Sequence, residues 1–307
     1  MSSPRPAYAA RLEYKPSIHL EVWLPSSGSS PAPVVAWTHG GAFIDGAAGD
    51  LSDANLLPTL ERGWAFVSIE YRLAPQVKLE QQLEDVREAY EFIRSGKLDE
   101  KLGGGKVDGK KLICSGSSAG GTLCLLAGYS ISPPPLAVHA FYPVSSLADP
   151  SYSAPVAFPS HIPYSEIESY YSPTPTISHS PAQVDFSTMV SHGRTKACLW
   201  AVQEGRVAEF ATGVKDNSEG GLEKFEVKNL VGEETPPTVI VHGDKDGMVP
   251  FGLSEGLVKV LVEKGREAKM ISAEGENHGF DLVPGVLEDE RKRQWIDEAN
   301  DFVARFV

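Results

Sequence analysis

Four short segments follow one another in a telling order along this 307-residue chain. They are His39-Gly40-Gly41-Ala42-Phe43, Gly116-Ser117-Ser118-Ala119-Gly120-Gly121, Asp244-Lys245-Asp246 and Asn277-His278-Gly279-Phe280. Each carries the residue types for one part of an acyl-transfer site: backbone donors for an oxyanion, a nucleophile, an acid and a base. Any one segment alone is weak evidence, and a G-x-S-x-G arises readily by chance in a chain rich in Gly and Ser. The full set in this order is a strong constraint.

The surroundings of each segment point to an alternating fold. Ile18–Leu24 alternates as a strand does, and Pro25–Pro33 is a Ser/Pro/Gly turn region. Val34–Thr38, Trp64–Glu70, Lys110–Ser115, Leu136–Tyr142, Thr238–His242 and Lys269–Ala273 are short apolar runs separated by helical stretches, the pattern of buried parallel strands. Glu80–Arg94 places Leu83, Val86, Tyr90 and Ile93 at helical spacing. Thr122–Tyr129 suits a buried helix, Phe251–Lys264 reads as a helix, and Asp289–Phe306 as an amphipathic closing helix. The expectation is an α/β fold: a mostly parallel, doubly wound sheet with helices on both faces.

Between Ser145 and Pro237 the pattern changes. Ser, Pro and Tyr crowd Ser151–Pro181, and the helical signals of Phe186–Glu209 have no clear strand between them. A structureless loop of about 90 residues is improbable inside a compact domain. Residues 1–144 and 238–307 are therefore expected to form the core, and residues 145–237 a mainly helical cap. Gly103-Gly104-Gly105-Lys106 only superficially resembles a phosphate loop, because no Ser/Thr follows the lysine, and reads as a surface turn.

The chemistry follows segment by segment. Ser118 is the candidate nucleophile, set where a strand must turn sharply into a helix, and a side chain at either flanking glycine would clash in that turn. Backbone N–H groups of Gly40 and Gly41, with that of Ala119 at the start of the helix, are suited to a developing oxyanion. His39 is expected to hold the loop by side-chain hydrogen bonding and not to act as the base. His278, after the last strand and before the closing helix, is the candidate base. Asp244 and Asp246 both follow Thr238–His242, and one carboxylate suffices to orient the imidazole.

Composition narrows the function classes. The hydrophobic share of 41% is enough for a core, and the net charge is −13, from 41 acidic against 28 basic residues. Such an acidic surface repels phosphate backbones and anionic lipid, so no nucleic-acid partner is expected. No run approaches the roughly 20 apolar residues of a membrane span. Three cysteines without a C-x-x-C pair argue against a disulfide framework. With no apolar leader at the N-terminus, a cytoplasmic protein is expected. His161, His179 and His192 lack metal-ligand spacing, so no metal is expected.

Taken together, these residues resemble the α/β-hydrolase superfamily, whose chain order is nucleophile, acid, base. Within it they are similar to the hormone-sensitive-lipase-like carboxylesterase branch with its His-Gly-Gly oxyanion loop. Glu70-Tyr71-Arg72-Leu73-Ala74-Pro75 also looks like that branch's segment after the third core strand. The resemblance runs from Val34 to the C-terminus, except the cap. It implies carboxylester hydrolysis with no metal or organic cofactor. It assigns Ser118, Asp246 and His278 as the triad and Gly40, Gly41 and Ala119 as oxyanion donors. The choice of Asp246 over Asp244 follows from Gly-x-x-Asp-x-x-Val-Pro, the usual form of this loop in related hydrolases, which leaves Asp244 to cap or brace the loop. The chain departs from the branch at Ala42, where a third glycine is usual, at Ser117, where an aspartate is usual, and in its short stretch before His39. That short arm is closer to kynurenine-formamidase-like and small microbial esterase relatives.

The substrate is expected to be a small-molecule ester or acyl compound. Phe43 and, in the cap, Phe158, His161, Tyr164, Tyr170, Tyr171, Phe186 and Trp200 are candidate pocket residues. The same triad also serves an arylformamidase-like amide hydrolase or a biosynthetic acyl transfer or cyclisation. A catalytically idle ligand-binding protein on the same fold is the reading from another class, and a homodimer is left open.

Overall fold

In the computed structural model the described residues are 5–28, 30–158, 160–171, 175–182, 184–185, 190–191, 193–215 and 220–307. The apolar runs form six consecutive strands, out to one edge, of an eight-stranded sheet of order β1-β2-β4-β3-β5-β6-β9-β10. Its strands are β1 (Ala10–Lys15), β2 (Ile18–Trp23), β3 (Ala32–Thr38), β4 (Ala65–Ile69), β5 (Val107–Ser117), β6 (Ala137–Phe141), β9 (Thr238–Gly243) and β10 (Ala268–Ala273). β1 pairs antiparallel with β2 and β2 with β4, and every pair from β4 to β10 is parallel. β7 (Val184–Asp185) and β8 (Val190–Ser191) form a separate antiparallel pair.

Alternation along the strands explains the layers. Val34, Ala36, Leu112, Cys114, Val138 and Ala140 pack into one core, while Val35, Trp37, Ile113, Phe141, Val239 and Val241 pack into another on the opposite face. Buried side chains of α2 (Leu79–Arg94), α4 (Ala119–Gly128) and α8 (Phe251–Glu263) join the first core, and those of α1 (Asp53–Glu61) and α9 (Glu290–Ala304) the second and a small satellite cluster. α3 (Lys97–Lys101) follows α2. A sheet apolar on both faces must be covered on both, which is why strand and helix alternate.

β1 and α1 are among the elements that were not anticipated. β1 alternates, but its charged residues Arg11, Glu13 and Lys15 suit it to a sheet edge. α1 carries Pro58 in its interior and is started by Ser52, whose side chain accepts from the Asn55 N–H at 3.1 Å. Such a cap is worth about 1 kcal/mol.

Between β6 and β9 the described residues form α5 (Glu168–Tyr171), α6 (Gly193–Gln203), α7 (Val207–Thr212) and short 3₁₀ turns. The helical reading of Phe186–Glu209 is corrected at its start: Val190–Ser191 is a strand, and α6 begins only at Gly193. Phe186 and His192 lie outside the described residues.

The Gly103-Gly104-Gly105 turn leads into β5. The Asp99 carboxylate accepts from the N–H groups of Gly105, Lys106 and Val107 at 2.7, 2.7 and 2.9 Å. Those donors hold Asp99 below the usual carboxylate range. A side chain of the protein thus takes the place an external anion would need.

Candidate active site

Strand order decides where the candidate residues meet. The chain passes from β3 outward to β4, then crosses back to β5 on the other side of β3. Loops leaving β3 and β5 diverge at that switch point and open a crevice beyond the carboxyl ends of the strands. His39-Gly40-Gly41 follows β3, Ser118 follows β5, Asp246 follows β9 and His278 follows β10. All four segments therefore lie at one end of the sheet.

The turn after β5 is built on close approach. A Cβ on Gly116 would lie 2.3 Å from the Gly120 oxygen, and one on Gly120 would lie 2.0 Å from the Thr38 oxygen. Between them Ser118 has φ 56° and ψ −123°, although it is not a glycine. Backbone strain of this kind costs about 1–3 kcal/mol. The Ser118 N–H donates to the Phe141 oxygen at 2.9 Å, which ties the turn to β6.

The loop after β3 sits against this turn. A Cβ on Gly40 would meet the Ser118 Cβ at 3.2 Å, and one on Gly41, at φ 97°, would meet the Asp45 oxygen at 2.1 Å. Ala119 opens α4, so its N–H belongs to the helix turn whose donors lack intrahelical partners. Ala42 and Phe43 continue the loop in left-handed conformations, with φ 49° and 66°.

His39 is fully buried. Its Nδ1–H donates to the Gly40 oxygen at 2.8 Å, and its ring stacks on Tyr71 with centroids 4.3 Å apart. The Tyr71 hydroxyl lies 3.1 Å from the His39 oxygen and 3.3 Å from the Gly40 oxygen. Burial lowers the His39 pKa to about 4, against the opposing effect of the Gly40 carbonyl, so the imidazole is neutral. It braces the loop, as expected of it. From the other side, Asp45 accepts from Ser180 at 2.7 Å and Thr195 at 2.5 Å, and buried Arg194 donates to the Ile44 and Ala74 oxygens at 2.5 Å.

Ser118, His278 and Asp246 form one hydrogen-bonded chain. His278 Nδ1–H donates to Asp246 Oδ2 at 2.7 Å, and its Nε2 lies 3.1 Å from Ser118 Oγ. Asp246 Oδ1 accepts from the N–H groups of Met248 and Val249, both at 2.8 Å. Burial pushes the Asp246 pKa up, but hydrogen bonds from His242, His278 and Val249 outweigh it and hold the carboxyl well below its usual range. Asp246 is ionised and the Nδ1–H tautomer of His278 is favoured, which leaves Nε2 free to accept from the serine hydroxyl. Asp244 is turned elsewhere: its Oδ1 accepts from the Gly275 N–H at 2.6 Å. It braces the two loops.

Three further residues shape the site. Asn277 Oδ1 accepts from the Gly247 N–H at 3.0 Å and the His278 N–H at 2.8 Å, pinning the acid loop to the base loop. The fully buried Tyr142 ring lies 4.5 Å from the His278 ring, and its hydroxyl donates to buried Asp281. His242 donates to the same Asp246 oxygen as His278, at 3.1 Å. In sequence these three look like ordinary members of a strand end or a turn. The one usable signal is a polar His closing the apolar run of β9 four residues before the acid.

The expected pocket residues separate. Phe43 has no exposed surface and Trp200 keeps 5%; both pack in the first core. Tyr171 stacks on Phe210 at 4.1 Å, with its hydroxyl on the Ala197 oxygen at 2.5 Å. Phe158 and Tyr170 are half-buried against the first core, His161 is exposed, and Tyr164 keeps 45% exposure. The three cysteines are buried free thiols, and among the described residues no group of His, Cys, Asp and Glu is arranged to hold a metal. No helix of the described residues is long and apolar enough to cross a membrane.

Residues 20–160 match the family described as BD-FAE, and residues 182–307 match the Prolyl oligopeptidase family. The non-reducing polyketide synthase Preu6 of Preussia isomera is 27% identical over 87% of this chain, which spans only 13% of that synthase. Esterase LipC of Mycobacterium tuberculosis is 27% identical over 88% of this chain and 59% of its own length. A solved α/β-hydrolase superfamily protein from Enterococcus faecalis superposes with a TM-score of 0.73 at 17% identity, covering 98% of this chain and 97% of that one. The BD-FAE match fits the hormone-sensitive-lipase-like branch that the His-Gly-Gly loop resembles. With this sheet order and these structural neighbours, the chain has the α/β-hydrolase fold.

Proposed function

We propose that the chain is a serine hydrolase of small to medium carboxylic esters that works through an acyl-enzyme on Ser118. The observation that carries this reading is the hydrogen-bonded chain Ser118–His278–Asp246, at 3.1 and 2.7 Å, packed against Gly40. His278 Nε2 takes the Ser118 proton as Oγ attacks the ester carbonyl, then gives it to the departing alcohol. Water repeats the sequence on the acyl-enzyme. Asp246 stays ionised and stabilises the imidazolium. The N–H groups of Gly40, Gly41 and Ala119 receive the oxyanion, each worth on the order of 10²–10³ in rate. Residues 145–237 act as the cap and select the substrate, with exposed Tyr164 and half-buried Tyr170 and Tyr171 as its contribution to the pocket.

A second reading keeps the same acyl-enzyme and replaces the ester with an acyl thioester released from, or passed on by, a biosynthetic enzyme. It is favoured by one observation: fungal non-reducing polyketide synthases align with 84–90% of this chain. Matched p-nitrophenyl esters, aryl formamides and acyl thioesters, each followed for a burst of one leaving group per protein, separate the readings. A burst with esters and weak use of thioesters supports ester hydrolysis. The reverse preference supports thioester chemistry. No burst with any of them contradicts both.

A further inference from the structure

Asp246 serves two imidazoles. Its Oδ2 accepts from His278 Nδ1 at 2.7 Å and from His242 Nε2 at 3.1 Å. His242 lies at the end of β9 and is fully buried. Its Nε2 also faces the Val249 oxygen at 3.1 Å, while its Nδ1 lies 2.7 Å from Ser254 Oγ on α8. Two acceptors around Nε2 require the proton there, so Nδ1 accepts from the Ser254 hydroxyl and α8 sets the tautomer.

The ring has few charged neighbours. Its own loop presents Asp246. The end of β6 presents Tyr142, at 6.4 Å between centroids, and α8 presents uncharged Phe251, at 5.5 Å, and Ser254. Its register partner on β10 is Ser272, and His278 shares Asp246 Oδ2 with it.

We propose that His242 is a positioning residue for the acid: its Nε2–H fixes the rotation of the Asp246 carboxylate and shares the oxygen on which His278 depends. An acceptor oxygen that takes two imidazole donors offers less charge to each. His242 therefore restrains the basicity of His278, keeping it an efficient proton acceptor that still releases its proton to the leaving group. This rests on the hydrolase reading of Ser118 and extends it to a residue that touches no substrate.

The test is an NMR titration of His278 in protein labelled at the histidine rings, run on wild type, His242→Gln, His242→Leu and Ser254→Ala. The pH profile of kcat/KM for an activated ester is measured alongside. Glutamine retains an N–H donor at the Nε2 position and leucine does not. In His242→Leu the His278 midpoint and the acid limb of kcat/KM are expected to rise together by about one pH unit, the order of one nearby hydrogen bond. In His242→Gln both stay at the wild-type position. Ser254→Ala weakens the donor without removing the ring and gives a smaller rise in the same direction. It carries the test if the leucine variant does not fold. A midpoint that stays put in both His242→Leu and Ser254→Ala, or moves equally in Leu and Gln, overturns the proposal and leaves His242 a packing residue. A shifted midpoint in a protein whose wild type turns over no ester sinks the hydrolase reading and supports the role of His242. Ester turnover with no shift does the opposite.

Discussion

β5 has a glycine-rich turn at each end, and the two are built on opposite physics. At its start, Gly103, Gly104 and Gly105 have φ of 93°, 80° and 71°, and a Cβ on any of them meets nothing within 4 Å. Their turn needs left-handed backbone only, and Asp99 absorbs the N–H groups that follow. At its end, Gly116 and Gly120 are needed because neighbouring backbone lies within 2.3 and 2.0 Å of where a Cβ would be. There the left-handed residue is Ser118, which is not a glycine. Glycine content alone does not separate a surface turn from a candidate active site. The separating feature is whether the turn is crowded by other loops at the carboxyl edge of the sheet, where a strained residue is held in place by its surroundings.

The largest expected effect breaks the comparison at Ser118. Ser118→Ala is expected to lower kcat for an activated ester by about 10⁴ or more with folding intact, since the triad members act as a unit. A loss below about tenfold removes Ser118 as nucleophile. Next, Asp246→Asn is expected to cost on the order of 10⁴ in kcat, because the imidazole loses its orienting acceptor. Asp244→Asn alters one bond to the Gly275 N–H and is expected to cost less than about tenfold. Steady-state kinetics on the pair decides it, and the reverse ranking assigns the acid to Asp244.

Gly120→Ala and Gly104→Ala compare the two ends of β5 directly. The first forces the methyl into the Thr38 carbonyl and is expected to cost about 3 kcal/mol or more, or to prevent folding. The second meets open space and costs about 1 kcal/mol for the left-handed alanine. Chemical denaturation of both variants measures the gap, and equal losses would mean that close approach is not what the second turn requires.

The smallest predicted effect concerns pH. Burial lowers the pKa of His39 to about 4 and of His139 to about 3, from about 6.5. Between pH 6.5 and those values the unfolded chain binds protons that the folded one refuses, so stability falls as pH drops through this window. Burial raises Asp50 to about 6, which acts in the opposite direction between pH 6 and 3.8. Burial raises Asp45 and Asp281 as well, which offsets part of the histidine effect. The two histidines carry the larger shifts, so the thermal midpoint is expected to fall by on the order of 5 °C from pH 7 to pH 5, and His139→Leu is expected to flatten that slope. A midpoint that rises towards pH 5 contradicts this assignment.

The crowded end of β5 was legible because its chemistry is written locally. Gly116-Ser117-Ser118-Ala119-Gly120 lies between an apolar run and an apolar helix, and buried parallel strands announce themselves as such runs. α1 was missed because Pro58 and the polar Asn55 obscure its apolar face, although both are buried. β1 was missed because an edge strand carries charges where a central one does not. Tyr142 meets His278 and Asp281 only in the folded chain, so no spacing rule reaches it. His242 and Asn277 stand close in sequence to the acid and the base, but nothing in their spacing says which group each side chain meets. The aromatic residues of 145–237 signalled that something must be buried there; Trp200 is buried in the first core, while Tyr171 stays half-buried. The sequence pattern has no term for which way a ring faces.

The most direct test of the central claim is intact-protein mass spectrometry after reaction with a fluorophosphonate, on wild type and on Ser118→Ala. The account predicts one adduct on wild type and none on the variant, the mark of a serine activated by His278. An unmodified wild type, or an adduct that persists in Ser118→Ala, would contradict it.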